Sequence, residues 1–418
     1  MSMTDTDTRL AVDGARLWAS IMETARIGAT PRGGLNRLTL SDEDRRVRDW
    51  FCRACEQAGC TVTVDALGNI FARRRGRDDT LPPIAIGSHL DTQPQGGKYD
   101  GVIGVLAGLE VLRTLDALDH QTNAPIEVIN WTNQEGSRFA PAMLASGVFA
   151  GVFDARYAYD RRDRDGRRFE DELVRIGYKG EAACGDRRLG AHFELHIEEG
   201  PILEAERRTI GIVTGVQGMR WYEVTVEGRD SHAGSTPMPM RRDALQAAAR
   251  MFIAIGDVAR AHGPYGVATV GMVECHPNSR NVVPGSVFFT IDLRHPEEDV
   301  LADMEAEVVW ALRQAAGSLD MTFERVWNSP PVRFDEECVA AVRQAAAAHG
   351  YPSRDIVSGG GHDSAYIARV APTTMIFVPC KDGLSHNEAE QVLQAHVVAG
   401  ANVLLRAVLE TDRRLRAG

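Results

Sequence analysis

A chain of 418 residues with 44% apolar and 25% charged side chains has the make-up of an ordinary water-soluble protein, long enough for two or three core-bearing domains. Forty-seven basic against 58 acidic residues leave a net charge of −11, which argues against nucleic acid or an anionic membrane as partner. No run of about 18 apolar residues offers a membrane span, and the polar, acidic start MSMTDTDTRLAVDG is unlike a signal peptide, so the expected compartment is the cytoplasm.

In chain order, residues 43–58 read as a helix. Within it Cys52 and Cys55, with Cys60 just beyond, crowd together, but no second CxxC pair follows to complete a metal clip. Residues 84–88 (IAIGS) and 126–132 (IEVINWT) are short apolar runs suited to buried parallel strands. Between them, Ile103, Leu106, Leu109, Leu112 and Leu115 repeat at helical spacing across 101–118. Residues 192–197 (HFELHI) alternate, with Phe193, Leu195 and Ile197 on one face. This is βαβ grammar, and in such sheets ligands collect at the C-terminal ends of strands.

After about residue 213 the grammar changes. RWYEVTVEG and SVFFTIDLR read as strands, and each is followed by a long helix, over 241–262 and 297–316. βα character returns with SGGGHDSAYIARVAPTTMIFVPC, and GLSHN follows its buried strand. The expected architecture is α/β: a catalytic domain over residues 1–213 and 330–418, with an α+β unit inserted at 214–329.

Six residues carry the chemistry. His89, Asp91, Asp100, Glu135, His196 and His386 lie in SHLD, KYDG, NQEG, ELHIEEG and GLSHN, at strand ends or turns. Imidazole nitrogen and carboxylate oxygen suit zinc and similar ions. Five of these groups suffice for two divalent ions: His89 and His196 on one, Glu135 and His386 on the other, and Asp100 between them. Asp91 is placed to take the second N–H of His89. Taken singly, each has a plainer reading, Asp100 as a helix N-cap and His386 as a turn residue.

The segments GSHLDTQPQGGKYDG, NWTNQEGSRF, ELHIEEGPILE, VQGMRWYEVTVEGRDSHAGSTPM, NVVPGSVFFTIDLR and GLSHNEAE resemble the carbamoylase branch of the dinuclear metallo-amidohydrolases, from about residue 15 to the end. That branch includes N-carbamoyl-L-amino acid hydrolase, β-ureidopropionase, allantoate amidohydrolase and ureidoglycolate amidohydrolase. The resemblance implies a homodimer, an inserted domain that serves as lid and dimer surface, and two divalent ions, zinc first, with manganese, cobalt or nickel as alternatives. It implies hydrolysis of a small ureido acid to an amino acid, CO2 and ammonia. His196 marks the branch, since related aminoacylases and dizinc carboxypeptidases resemble Asp or Glu there; an aminoacylase or dipeptidase is the runner-up reading. His232 would polarise the scissile carbonyl, from the partner subunit, and Asn281 and Arg294 would hold the substrate carboxylate. GGGHDS at 359–364 lacks the lysine of a phosphate loop, so Gly361 is read as backbone wall beside the substrate.

Two positions depart from the pattern. The family resembles Glu-Glu at 134–135, the first as general base; here Gln134 precedes Glu135, and an amide cannot accept a proton. The family resembles HIEQG where this chain has Glu199, a carboxylate able to bond a ureido NH2 group. An inactivating exchange, a weakly active or altered enzyme, and a base moved to Glu199 all fit the sequence. So does a catalytically silent binding protein.

Overall fold

The computed structural model describes residues 10–415. Residues 1–9, on which most of the signal-peptide reading rests, lie outside the described residues. The chain divides into two compact units, one running to Gly215 and resuming at Arg333, the other Val216–Val332.

The first unit is built on a sheet of nine strands among the described residues. Its centre is four parallel strands in the order Ile126–Trp131, Ile84–His89, Ala191–Ile197 and Thr373–Val378. Antiparallel strands flank them, Ile70–Arg74 on one side and Ile210–Val216 on the other. The four central strands are buried at every position, as befits a parallel sheet covered on both faces. The helix Val102–Ala117 connects two of them, and Gln394–Leu415 closes the chain.

The alternation in HFELHI predicts one buried face, but all seven residues of Ala191–Ile197 are buried. The short helix Asp363–Ile367 covers the polar face: Ser364 Oγ donates to Glu194 Oε2 at 2.6 Å, and Ser88 Oγ donates to Glu194 Oε1 at 2.9 Å. His192 and Glu194 are therefore interior groups that the period-2 pattern assigns to the surface.

The second unit is an antiparallel sheet centred on Gly218–Glu227, Ser286–His295 and Asp320–Ser329. Here the alternation is real: Tyr222, Val224, Val226, Phe289, Ile291 and Leu293 point inward, while Trp221 and Glu223 are exposed. The helices Ala244–Ala261 and Glu298–Ala316 cover the inner face with Met251, Ile255, Leu301, Met304 and Val308. Asp243 starts the first of them by accepting the N–H of Gln246.

Candidate metal centre

The C-terminal ends of the four parallel strands deliver the candidate ligands to one edge of the sheet. His89 is the last residue of its strand, and His196 is the penultimate residue of its own. Ile126–Trp131 runs into a turn with Asn133 at φ 62°, which presents Gln134 and Glu135. Thr373–Val378 runs through a 3-10 turn to His386, at φ 53°. Asp100 sits in the turn that opens the helix Val102–Ala117.

Asp100 is the hub. Its Oδ1 lies 3.6 Å from His89 Nε2 and 3.2 Å from His196 Nε2; its Oδ2 lies 3.5 Å from His386 Nε2. His386 Nε2 also lies 3.4 Å from Glu135 Oε2. The next residue has to be glycine twice over. Gly101 is at φ 66°, and a Cβ there would stand 2.2 Å from His89 Nε2.

These spacings fit a cation. Four-coordinate zinc with bonds of about 2.0–2.1 Å sets its ligand atoms about 3.3 Å apart. His89 Nδ1 and His196 Nδ1 face backbone carbonyls, Asp91 O at 2.9 Å and Ile197 O at 3.0 Å, so each imidazole turns Nε2 toward Asp100. His89 Nε2 is buried and has no hydrogen-bond partner. Without a cation, protons must fill the gap. Burial opposes charge on His196, but Asp100 prevails and its pKa is pushed up to about 9; His89 behaves likewise and stands well above the ordinary histidine value. Burial raises the Asp100 carboxyl, yet His196 and His89 outweigh it and hold it well below the usual carboxylate range. Burial and the charge of Asp100 push Glu135 well above its ordinary value and Glu199 up to about 8. Carboxylates forced together in this way bind protons or metal.

The structure corrects the role read for Asp91. It is the backbone carbonyl of Asp91 that takes the His89 proton, while the carboxylate stands 3.8 Å away. Asp91 Oδ2 instead accepts from Thr39 Oγ1 at 2.6 Å and from the N–H of Glu135 at 3.2 Å, so it anchors the turn that carries Glu135. A two-residue separation lets the carbonyl reach the ring before the side chain can.

Supporting residues escaped the sequence reading. Gln93 donates from Nε2 to Glu135 Oε2 at 2.7 Å and from its backbone N to Oε1 at 3.1 Å. Glu390 accepts the N–H groups of Tyr99 and Asp100 at 2.9 and 3.2 Å, fixing the hub from 290 residues away. A Cβ on Gly97 would stand 2.1 Å from the Glu390 carboxylate, which accounts for one glycine of QGGKYD. His362 is buried, its ring centroid 4.5 Å from that of His196.

The two departures also find their places. Gln134 is buried, and its Nε2 donates to the carbonyl of Gly361 at 2.9 Å. Glu199, at φ 58°, approaches His386 Nε2 with Oε1 (3.5 Å) and His362 Nε2 with Oε2 (3.6 Å).

The remaining candidates belong to the second unit. His232 is exposed, and its Nδ1 accepts the N–H groups of Gly234 and Ser235 at 3.0 and 3.2 Å. Its strand pairs with Val282–Val283, which brings Asn281 alongside through the bond from Ala233 N to Asn281 O at 2.9 Å. Arg294 is half-buried and directs its guanidinium at its neighbour Asp292, with Nη2 2.7 Å from Oδ2.

An α/β unit with a carboxylate hub and three imidazoles beyond the ends of its parallel strands defines a class of proteins whose sheet edge suits divalent cations. The profile of peptidase family M20/M25/M40 matches residues 85–410, and the chain belongs to that family. It is 51% identical to the N-carbamoyl-L-amino-acid amidohydrolase of Rhizobium meliloti over 402 residues, 96% of this chain and 97% of that protein. It is 33% identical to the allantoate amidohydrolase of Bacillus subtilis over 91% of this chain and 93% of that one. Among solved structures, a hydantoinase/carbamoylase family amidase from Burkholderia multivorans superposes with a TM-score of 0.94 at 56% identity, covering 96% of this chain and 98% of the other. No helix among the described residues is long and apolar enough to cross a membrane.

Proposed function

We propose that this chain is a metal-dependent amidohydrolase that cleaves the ureido C–N bond of an N-carbamoyl amino acid or a close ureido acid such as allantoate or ureidoglycolate. Water adds to the ureido carbonyl carbon, the bond from that carbon to the amino-acid nitrogen breaks, and that nitrogen takes up a proton. The products are an amino acid and carbamate, which decomposes to CO2 and ammonia. The observation that carries this reading is the arrangement around Asp100, set in a chain half identical along its length to an N-carbamoyl-L-amino-acid amidohydrolase.

Divalent ions, zinc first and manganese, cobalt or nickel as alternatives, would supply Lewis acidity toward the carbonyl and lower the pKa of water. His89, His196 and Asp100 would hold one ion, and Asp100, Glu135 and His386 the other. The Nδ1 bonds of His89 and His196 fix which nitrogen is offered. Gln134 can hold water through its amide but cannot take its proton, so turnover is slow for this fold. By the family resemblance, His232 of the partner subunit polarises the carbonyl, and Asn281 and Arg294 bind the substrate carboxylate. The inserted unit then acts as lid and dimer surface of a cytoplasmic homodimer, and the Gly361 backbone walls the substrate.

Gln134 also favours a second reading, a silent binding protein with the same pocket. Ammonia release at high protein concentration, across N-carbamoyl amino acids, allantoate and ureidoglycolate with each metal, is the test. Slow release from ureido acids and none of the corresponding cleavage of N-acetyl amino acids is expected. Cleavage of N-acetyl substrates alone would place the chain with the aminoacylases. Binding without any turnover would leave the silent reading.

A further inference from the structure

Glu198 and Glu199 are consecutive carboxylates with different tasks. Glu198 turns away from the cluster and caps the short helix Ile202–Ala205, accepting the N–H groups of Ile202 and Leu203, both at 2.8 Å. Glu199 turns into the cluster. Its Oε1 is 3.5 Å from His386 Nε2, matching the 3.5 Å from that nitrogen to Asp100 and the 3.4 Å to Glu135. Asp100, Glu199 and His386 each offer a donor atom within 4.8 Å of the others.

Ser385 sharpens the case. Its Oγ lies 2.6 Å from Asp100 Oδ2 and 3.2 Å from Glu199 Oε1. One hydroxyl has one proton, so it cannot satisfy two carboxylates at once. The charge left over points at the space beside His386. Gln134 brings no charge to that space, and its amide is tied to Gly361 O through Nε2.

We propose that Glu199 is a metal-ligating residue, an additional carboxylate donor to the ion shared by Asp100, Glu135 and His386. The inference rests on the two-ion reading above and assigns Glu199 away from the substrate. The donor sets of the two ions then differ in kind. One has two imidazoles and a carboxylate; the other has three carboxylates and one imidazole. Oxygen-rich sites suit harder cations, so the His386 side is the one suited to manganese.

The test uses the full-length protein, stripped with a chelator and titrated with Mn2+ without substrate. Bound ions are counted by equilibrium dialysis, and coupled Mn2+ pairs are followed by electron paramagnetic resonance. Glu199→Gln should leave one Mn2+ binding step unchanged and weaken the other at least about tenfold, with the pair signal appearing only at higher Mn2+; changes to supporting groups alone typically cost that much. Glu199→Asp, one methylene shorter, should show the same defect if the glutamine variant folds poorly. Glu198→Gln removes the same charge one residue away; it should lower the melting temperature and leave both Mn2+ steps intact. Two wild-type binding steps in Glu199→Gln, or a wild-type chain that binds only one ion, would overturn the assignment. A chain that hydrolyses no ureido acid but loses its second Mn2+ on Glu199→Gln would sink the proposed activity and leave this ligand in place.

Discussion

In the unit that carries the candidate metal ligands, His89, His192, Glu194, His196, His362 and Asp363 are buried; in the inserted unit, Arg220 and His295 are the only buried polar or charged side chains among the described residues. The inserted unit is held by apolar contact between one sheet face and two helices, at about 1.5–3 kcal/mol for each large side chain buried. The cluster is the opposite case. Ionisable groups out of water cost stability unless a partner neutralises them, and several of these share too few protons. Perturbing one interior should therefore change metal and chemistry, while perturbing the other should change stability alone.

The largest effect is expected at the hub. Asp100→Ala should abolish metal binding on both sides and leave no measurable turnover, read by metal analysis and ammonia release; retention of two ions would break the contrast. Gln134→Glu comes next. It should raise kcat by about 10²–10⁴ with little change in KM, because the gain arises only in the transition state. It also loses the bond to Gly361, so the melting curve should show a cost of about 0.5–1.5 kcal/mol. If the base had moved to Glu199, Gln134→Glu would add little and Glu199→Gln would stop turnover with both ions still bound.

In the inserted unit, Phe289→Ala should cost about 3–5 kcal/mol of stability by opening a cavity between sheet and helix, while the folded protein still binds metal normally. Arg294→Ala should weaken binding of an N-carbamoyl acid about tenfold, with little change in melting, since a charge-assisted bond is worth about 1.5–3 kcal/mol. Unchanged affinity would free Arg294 from the carboxylate role and leave it to Asp292. The smallest effect is a partial recovery. In a Gln134→Glu background, mixing His232→Ala chains with Asp100→Ala chains should restore some activity if the two subunits share a site. Its absence, once subunit exchange is demonstrated, would count against sharing.

Much of this layout is legible in the chain. Apolar runs over 84–88 and 126–132 announce parallel strands, and the strand-end rule then puts His89, Glu135, His196 and His386 on one edge. The supporting residues are not legible. Glu390 reaches the backbone of Tyr99 and Asp100 across 291 and 290 positions, and nothing local to GLSHNEAE marks it. His192 and Glu194 look solvent-facing by alternation, because sequence does not show that Asp363–Ile367 will lie over them. At Asp91, spacing gives the residue but not whether carbonyl or carboxylate meets the ring. At Glu199 a left-handed backbone turns the side chain toward His386, and nothing in composition or period marks that turn.

About half of the His386 side-chain surface, 52%, is open to solvent, whereas that of His89 is 0% and that of His196 is 1%. On the two-ion proposal, water reaches one ligand, His386, directly, while His89 and His196 exchange only when the fold opens locally. The two proposed ions would then have different residence times. In a medium whose free metal rises and falls, occupancy on the His386 side would follow supply within the life of the protein, and the buried side would keep what it acquired at folding. The rate of a two-ion reaction in such a site would become a gauge of metal nutrition, set by the exposure of a single ring.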